Sequence, residues 1–290
     1  MKQITRDGLL IEEQDGQEHV LKLLYGTIPG RCLLKVLVAP WVSRIAGAFL
    51  SSKASGVLIA PFARKYSIDR TLFLPPSTPG FNGFFTRVIR PEARPLDDAE
   101  SHLISPCDSK LSVFPIEERS RFLLKNTTYS IESLLRDREL SECYSGGQIL
   151  VFRLTVEDYH RYCYFASGRR EPFRKIPGVL HTVNPIANDV FPIYQENARE
   201  YTVIHTEAFG SVIMMEVGAL LVGKIVNHSC AEQVTRGQEK GYFQYGGSTV
   251  VLILPQGAAV IDPDILDNSR QGIETVVHYG EKIGISTIIP

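Results

Sequence analysis

The spacing of the apolar residues changes along this chain, and that change limits what the chain can fold into. Leu33, Leu34, Val36, Leu37 and Val38 precede Pro40, which is predicted to break or kink a helix. Beyond it Trp41, Val42, Ile45, Ala46 and Phe49 recur at helical intervals, followed by Val57, Leu58, Ile59 and Phe62. From about residue 100 the pattern becomes short β-rich runs: Ile149–Leu154, Val212–Val217, Leu220–Val222 and Thr249–Leu254. Turn-forming clusters such as Asn184-Pro185 and Gly246-Gly247 separate these runs. One helical insert is expected at Ser130–Arg136, with Ser130 as its cap. The spacing therefore predicts helices first and strands later: a helical region over residues 1–80 attached to a β-rich core over residues 81–290.

A chain of 290 residues can bury one large core or two modest ones. Its net charge of −1 supplies no global basic field, so nucleic acid is not an expected partner. The five cysteines are scattered with no CxxC pair, which points to reduced thiols and to neither a zinc site nor a disulfide framework. No metal is expected. Residues 1–16 are too polar for a signal peptide, and no apolar stretch reaches the roughly 18 residues of a spanning helix. Arg31, Lys35, Arg44, Lys53, Arg64 and Lys65 punctuate the apolar surface of residues 31–66. That composition suits helices lying on an anionic lipid surface, and it also suits helices packing on the protein's own core.

Three segments carry residues with chemical potential. Gly246-Gly247-Ser248-Thr249 places a hydroxyl directly after an unhindered carbonyl, which it could attack to convert a peptide bond to an ester. The same residues make an ordinary turn. Asp158-Tyr159-His160-Arg161-Tyr162 sets a histidine between aromatic rings beside a cation, suited to acid–base work or to a structural hydrogen bond. Ser105-Pro106-Cys107-Asp108-Ser109 offers an aspartate that could act chemically or cap its own turn.

Taken together, these segments resemble those of the phosphatidylserine decarboxylases. Phe84-Phe85-Thr86-Arg87 with Arg90-Pro91-Glu92-Ala93-Arg94-Pro95 is similar to that family's FFxRxxxPxxRP. Ser105-Pro106-Cys107-Asp108 resembles SPxDG, and Lys125 with Tyr129-Ser130 and Leu134-Leu135 resembles KGxxYSxxxLL. Phe152-Arg153-Leu154 with Asp158-Tyr159-His160-Arg161 resembles FRLxxxDYHR. Val183-Asn184-Pro185, Asn197 with Arg199, and Val217-Gly218-Ala219 with Val222-Gly223 continue in family order. Gly237, Glu239 and Gly241-Tyr242-Phe243 lead into Gly246-Gly247-Ser248-Thr249-Val250, like GxExGYFxFGGSTV.

The resemblance implies a proenzyme that cuts itself between Gly247 and Ser248 into a large chain, 1–247, and a small chain, 248–290. Ser248 would become a covalent pyruvoyl cofactor, whose carbonyl condenses with the amine of phosphatidylserine while CO2 leaves. His160 is the implied proton donor to the product. Asp108 and Ser248 match the relay residues of self-cleavage. Cys163 stands where the family often carries a second histidine. His160 serving both steps, Cys163 acting as a weaker base, and slow or absent processing are the open outcomes. His160 is favoured, because a thiol with an ordinary pKa of about 8.5 is a poor proton acceptor. Ser109 replaces the usual glycine after the aspartate, an exchange that matters only where the backbone needs a positive φ.

The implied fold is α+β, with N-terminal helices on a sandwich or barrel-like core. The implied setting is the cytoplasmic face of a membrane as a peripheral protein, with a homodimer left open. Two alternatives accompany this reading: a pyruvoyl-dependent decarboxylase of a soluble amino acid, and an unprocessed lipid-binding protein.

Overall fold

The computed structural model describes residues 2–12, 18–117, 121–124, 127–182, 192–219, 224–229, 231–244 and 248–288. Pro40 marks a helix boundary, as its missing N–H requires. One helix spans Ile28–Leu37 and the next, Pro40–Leu50, takes the proline into its first turn, where no N–H is needed. Thr27 caps the first of these by accepting from the Gly30 amide at 3.1 Å. A helix at Glu18–Gly26 precedes these, and shorter ones at Ile59–Lys65 and Gly80–Phe85 follow. No helix among the described residues is long and apolar enough to cross a membrane.

These helices have two apolar faces. Leu21, Leu24, Tyr25, Leu34 and Val38 are buried in a cluster with Ile149, Val151, Ile213, Met215, Val251 and Ile253 of the main sheet. Ile28, at 72% exposed, Val57, at 77%, and the half-exposed Leu33, Trp41, Ile45 and Phe49 point away from any described core. One face of this region therefore packs on the protein, as one of its two readings expected, and the other is left exposed.

Among the described residues the main sheet has eleven strands. Its centre runs Arg199–Thr206, Gly210–Val217, Ser248–Leu254, Gln148–Leu154, Ser109–Pro115 and Glu274–Val277, all antiparallel. The central strands read as unbroken apolar runs because both faces are covered. Leu150, Phe152, Leu154, Val250, Leu252 and Leu254 enter one cluster, and the alternate residues enter the cluster under the helices. Full burial of each such side chain stabilises by about 1.5–3 kcal/mol.

The first cluster lies beneath a three-stranded sheet of Lys224–Asn227, Glu239–Gln244 and Arg161–Cys163, which contributes Tyr162, Cys163 and Phe243. The expected α+β class holds. Among the described residues the main sheet ends at Gln233–Val234 on one side and Leu10–Glu12 on the other, so it forms no closed barrel and the barrel-like expectation is corrected to an open sheet. Two strands precede the helices, since Lys2–Ile4 pairs with Glu274–Val277 and Leu10–Glu12 pairs with Lys2–Ile4. The insert at Ser130 forms as expected: Ser130 accepts from the Ser133 amide at 3.0 Å and caps Ile131–Leu135. The expected run Leu220–Val222, with Gly223, Val183-Asn184-Pro185, Lys125 and Tyr245-Gly246-Gly247, lies outside the described residues.

Candidate active site

Ser248 is the first residue of its strand and pairs with Leu154. Strand alternation turns its side chain to the face of Val250 and Leu252, beneath the three-stranded sheet. Thr249 faces the other way, opposite Arg153, which forms a buried pair with Glu274 at 2.5 Å. The Ser248 hydroxyl is fully buried and has no hydrogen-bond partner among the described residues. Leaving a buried hydroxyl unpaired costs about 1–3 kcal/mol, so the placement needs a reason beyond packing.

His160 ends the loop that follows the strand opposite Ser248. The loop is tied from several directions. Lys110 Nζ lies 2.7 Å from both Asp158 oxygens, and the Thr155 amide donates to Asp158 Oδ2 at 2.7 Å. Burial alone would raise Asp158 and lower Lys110. Their mutual attraction outweighs it, so Asp158 is held below its ordinary value and Lys110 above. Arg161 donates to the Thr86 carbonyl at 2.8 Å and pairs with Glu239 at 2.7 Å.

His160 Nδ1 lies 2.9 Å from the Asp158 carbonyl, which can only accept. The proton therefore sits on Nδ1, and in the neutral ring Nε2 carries the lone pair. The Phe85 ring lies 4.2 Å from the imidazole, and the Phe243 amide donates to the His160 carbonyl at 2.9 Å. The strand that holds His160 from this side, Glu239–Gln244, is the one that leads towards Ser248.

Asp108 precedes the strand Ser109–Pro115. Ser109 is opposite Val277, and Lys110 is opposite Arg153, which aligns Ser109 with Leu154 and hence with Ser248 two strands away. Two strand spacings are about 10 Å. Asp108 thus stands at the same end of the sheet as Ser248 and the His160 loop. Its carboxylate is taken by Arg94, at 2.6 and 2.9 Å, and by the Tyr279 amide, at 2.8 Å. His278 Nδ1 lies 3.8 Å from it, a neighbour that sequence reasoning missed. Ser109 is not among the described non-glycine residues with positive φ, so a serine fits there without strain.

Cys163 is fully buried, with its amide on the Pro106 carbonyl at 2.9 Å. Burial pushes its thiol up to about 12, against the smaller opposing effect of a hydrogen bond from Tyr279. At pH 7 such a thiol is ionised in roughly 1 molecule in 10^5.

A second buried network was not anticipated. Glu216 and Lys240, both wholly inaccessible, pair at 2.5 Å. Asn227 donates to Glu216 Oε2 at 3.0 Å and accepts from Lys240 at 3.1 Å and from the Tyr162 hydroxyl at 3.2 Å. Burial raises the Glu216 carboxyl above its ordinary range, and Lys240 opposes the shift. Glu216 is opposite Val250, so it sits diagonally from Ser248 on the same face, within about 7–8 Å. A glutamate inside the run Val212–Val217 was the available signal, since a charge in a buried strand demands a partner.

A family profile described as phosphatidylserine decarboxylase matches residues 81–285. A phosphatidylserine decarboxylase proenzyme 2 from Clostridium acetobutylicum is 46% identical over 265 residues, covering 91% of each chain. A phosphatidylserine decarboxylase proenzyme from Ruminiclostridium cellulolyticum is 40% identical over 278 residues, covering 94% of this chain and 93% of its own. One from Desulfitobacterium hafniense is 36% identical over 279 residues, covering 94% of each. With the segments of Asp108, His160 and Ser248 at one end of the sheet and relatives matching along nearly its whole length, the chain belongs to the phosphatidylserine decarboxylase family.

Proposed function

We propose that this chain is a phosphatidylserine decarboxylase that cuts itself between Gly247 and Ser248, converts Ser248 to a pyruvoyl group and acts on phosphatidylserine at an anionic membrane surface. The observation that carries the reading is the Ser248 hydroxyl, buried at a strand start with no partner among the described residues. A hydroxyl required for packing would be paired; one required as a nucleophile is kept available.

In self-cleavage Ser248 Oγ attacks the Gly247 carbonyl carbon, passing its proton to His160 Nε2, and the peptide bond becomes an ester. Loss of the Ser248 α-proton then expels the Gly247 carboxylate, and hydrolysis of the resulting unsaturated residue releases ammonia. His160 is the base in this reading because its Nδ1 proton is held on the Asp158 carbonyl, whereas the Cys163 thiol stays protonated. Asp108 supports the site at one remove, through Arg94 and Tyr279. The residues present fit the group: the serine that becomes the carbonyl lies buried in an apolar layer with one charged pair diagonal to it. The pyruvoyl carbonyl supplies the electron sink for loss of CO2 from the substrate amine. His160 then delivers a proton to the α-carbon.

The exposed apolar face of Ile28, Trp41, Ile45, Phe49 and Val57, accompanied by Arg31 and Lys35, supports docking of residues 1–80 on the cytoplasmic face of an anionic bilayer. It also favours a lipid substrate over a soluble amino acid. Purified protein is expected to release CO2 from phosphatidylserine vesicles, and Ser248→Ala is expected to release none. Turnover of free serine at a rate equal to that of the lipid would overturn the substrate reading.

A further inference from the structure

A cavity of about 450 Å³ opens beside the His160 loop, walled by Phe73, Leu74 and Phe84 and carrying Arg70, Arg87 and Arg90 with no carboxylate among its lining residues. Arg87 is the unusual member. It is 3% exposed and forms no ion pair among the described residues. Its guanidinium stacks over Phe73 at 4.4 Å and Phe84 at 5.2 Å, and its bonds go only to the carbonyls of Phe85, Glu157 and Asp158. Its Nε–H is buried without a partner among the described residues. Burial lowers Arg87 to about 10, which leaves it charged at neutral pH. Arg70 and Arg90 are exposed at the rim, where Arg90 Nε holds the Thr71 carbonyl at 3.1 Å. A buried cation hydrogen-bonded only to carbonyls among the described residues, with Asp158 and Asp108 acting on it without an ion pair, a spare donor and two more cations above it, is a site for an anion.

The Asp158 carbonyl accepts from Arg87 Nη2 at 3.3 Å and from His160 Nδ1 at 2.9 Å, so the anion site and the proposed proton donor share one acceptor atom. In a phosphatidylserine headgroup the phosphate is joined to the α-carbon through one oxygen and one methylene, a separation of the same short scale. The substrate's carboxylate is the wrong anion for this cavity. Cations on the departing carboxylate would stabilise the ground state more than the transition state and slow its loss.

We propose that this cavity is the phosphodiester subsite of the enzyme: Arg70, Arg87 and Arg90 hold the headgroup phosphate, and the Phe73–Leu74 wall receives the glycerol end of the lipid. The proposal rests on the decarboxylase reading given above. It makes the cavity the feature that separates the lipid from free serine, which carries no phosphate.

The test uses the self-processed enzyme and a short-chain phosphatidylserine kept below its micelle concentration, so that membrane docking does not enter. An Arg70→Met/Arg90→Met variant should raise KM for this lipid at least tenfold while kcat stays within twofold and the small chain still forms. Arg270→Met, an exposed residue elsewhere, should change neither. In the wild type, glycerophosphoethanolamine, which has the phosphodiester but neither carboxylate nor acyl chains, should compete with substrate, and its Ki should rise with KM in the variant. O-phosphoserine should be bound more tightly than serine by the wild type alone. An unchanged KM, a fall in kcat at constant KM, or no competition by glycerophosphoethanolamine would each overturn the proposal. A wild type that neither cleaves nor releases CO2 contradicts the decarboxylase reading itself, and is recognised before any variant is compared.

Discussion

Replacing Lys240 with methionine leaves the Glu216 carboxylate wholly buried opposite an apolar side chain, 2.5 Å from where its counter-charge had been. Breaking one side of a buried pair costs about 3–5 kcal/mol. The Asn227 hydrogen bond to Glu216 Oε2 at 3.0 Å survives and offsets part of this, which puts the expected loss at about 3 kcal/mol near pH 8. Glu216→Gln combined with Lys240→Met removes both charges and should return stability to within about 1 kcal/mol of the parent. The pH dependence follows from the direction of the Glu216 shift. Its folded pKa lies above the ordinary 4.5, so as pH rises the unfolded chain loses this proton first. Stability from the protonated buried carboxyl is present at low pH and is lost as pH climbs from 4.5 through the raised folded value. Without Lys240 the rise is larger, so the deficit of Lys240→Met should grow between pH 5 and pH 8. Urea unfolding of the variants, made in the uncleaved Ser248→Ala chain and followed by far-UV circular dichroism, measures both effects. A loss under about 1 kcal/mol at pH 8, equal to that at pH 5, would refute the assignment of a buried, charged pair.

Three further outcomes are expected. Cys163→Ala should leave the rate of self-cleavage within about threefold, because a thiol held near 12 supplies no base, whereas His160→Gln should slow it by about 100-fold or more; formation of the small chain on denaturing gels reads both. Trp41→Ser combined with Ile45→Ser should weaken binding to anionic vesicles in a flotation assay while turnover of a soluble short-chain lipid is retained, since both side chains are exposed and away from the cavity.

The parts of the fold that were legible in the sequence are those encoded by local pattern. The runs at 149–154, 212–217 and 249–254 became central strands because a sheet covered on both faces needs unbroken apolar residues. Pro40 marked a helix boundary, and Ser130 capped a helix, for reasons contained within a few residues. The strands at Lys2–Ile4 and Leu10–Glu12 escaped notice because they are only three residues long and gain their place from Glu274–Val277 at the far end of the chain. The lack of closure was equally hidden, since the ends of a sheet depend on pairing between distant segments rather than on any run of residues.

The site divides in the same way. Ser248, His160 and Asp108 were singled out through motif order as candidates, and the structure gathers their segments at one end of the sheet. That Asp108 is committed to Arg94 and the Tyr279 amide, and Asp158 to Lys110, could not be read from spacing, because each pairing crosses between elements. Arg87 was quoted as one letter of a motif. Its isolation between two phenylalanine rings, with one donor left over, emerges only in three dimensions.

The central claim is that Ser248 becomes the catalytic carbonyl, and the intact mass of the purified protein's small chain tests it most directly. The account predicts a chain of residues 248–290 lighter by one ammonia than the corresponding peptide with an N-terminal serine, reactive towards a carbonyl reagent such as phenylhydrazine. A small chain that keeps its serine amine, or a protein that persists as one 32.4 kDa chain while decarboxylating phosphatidylserine, would contradict it.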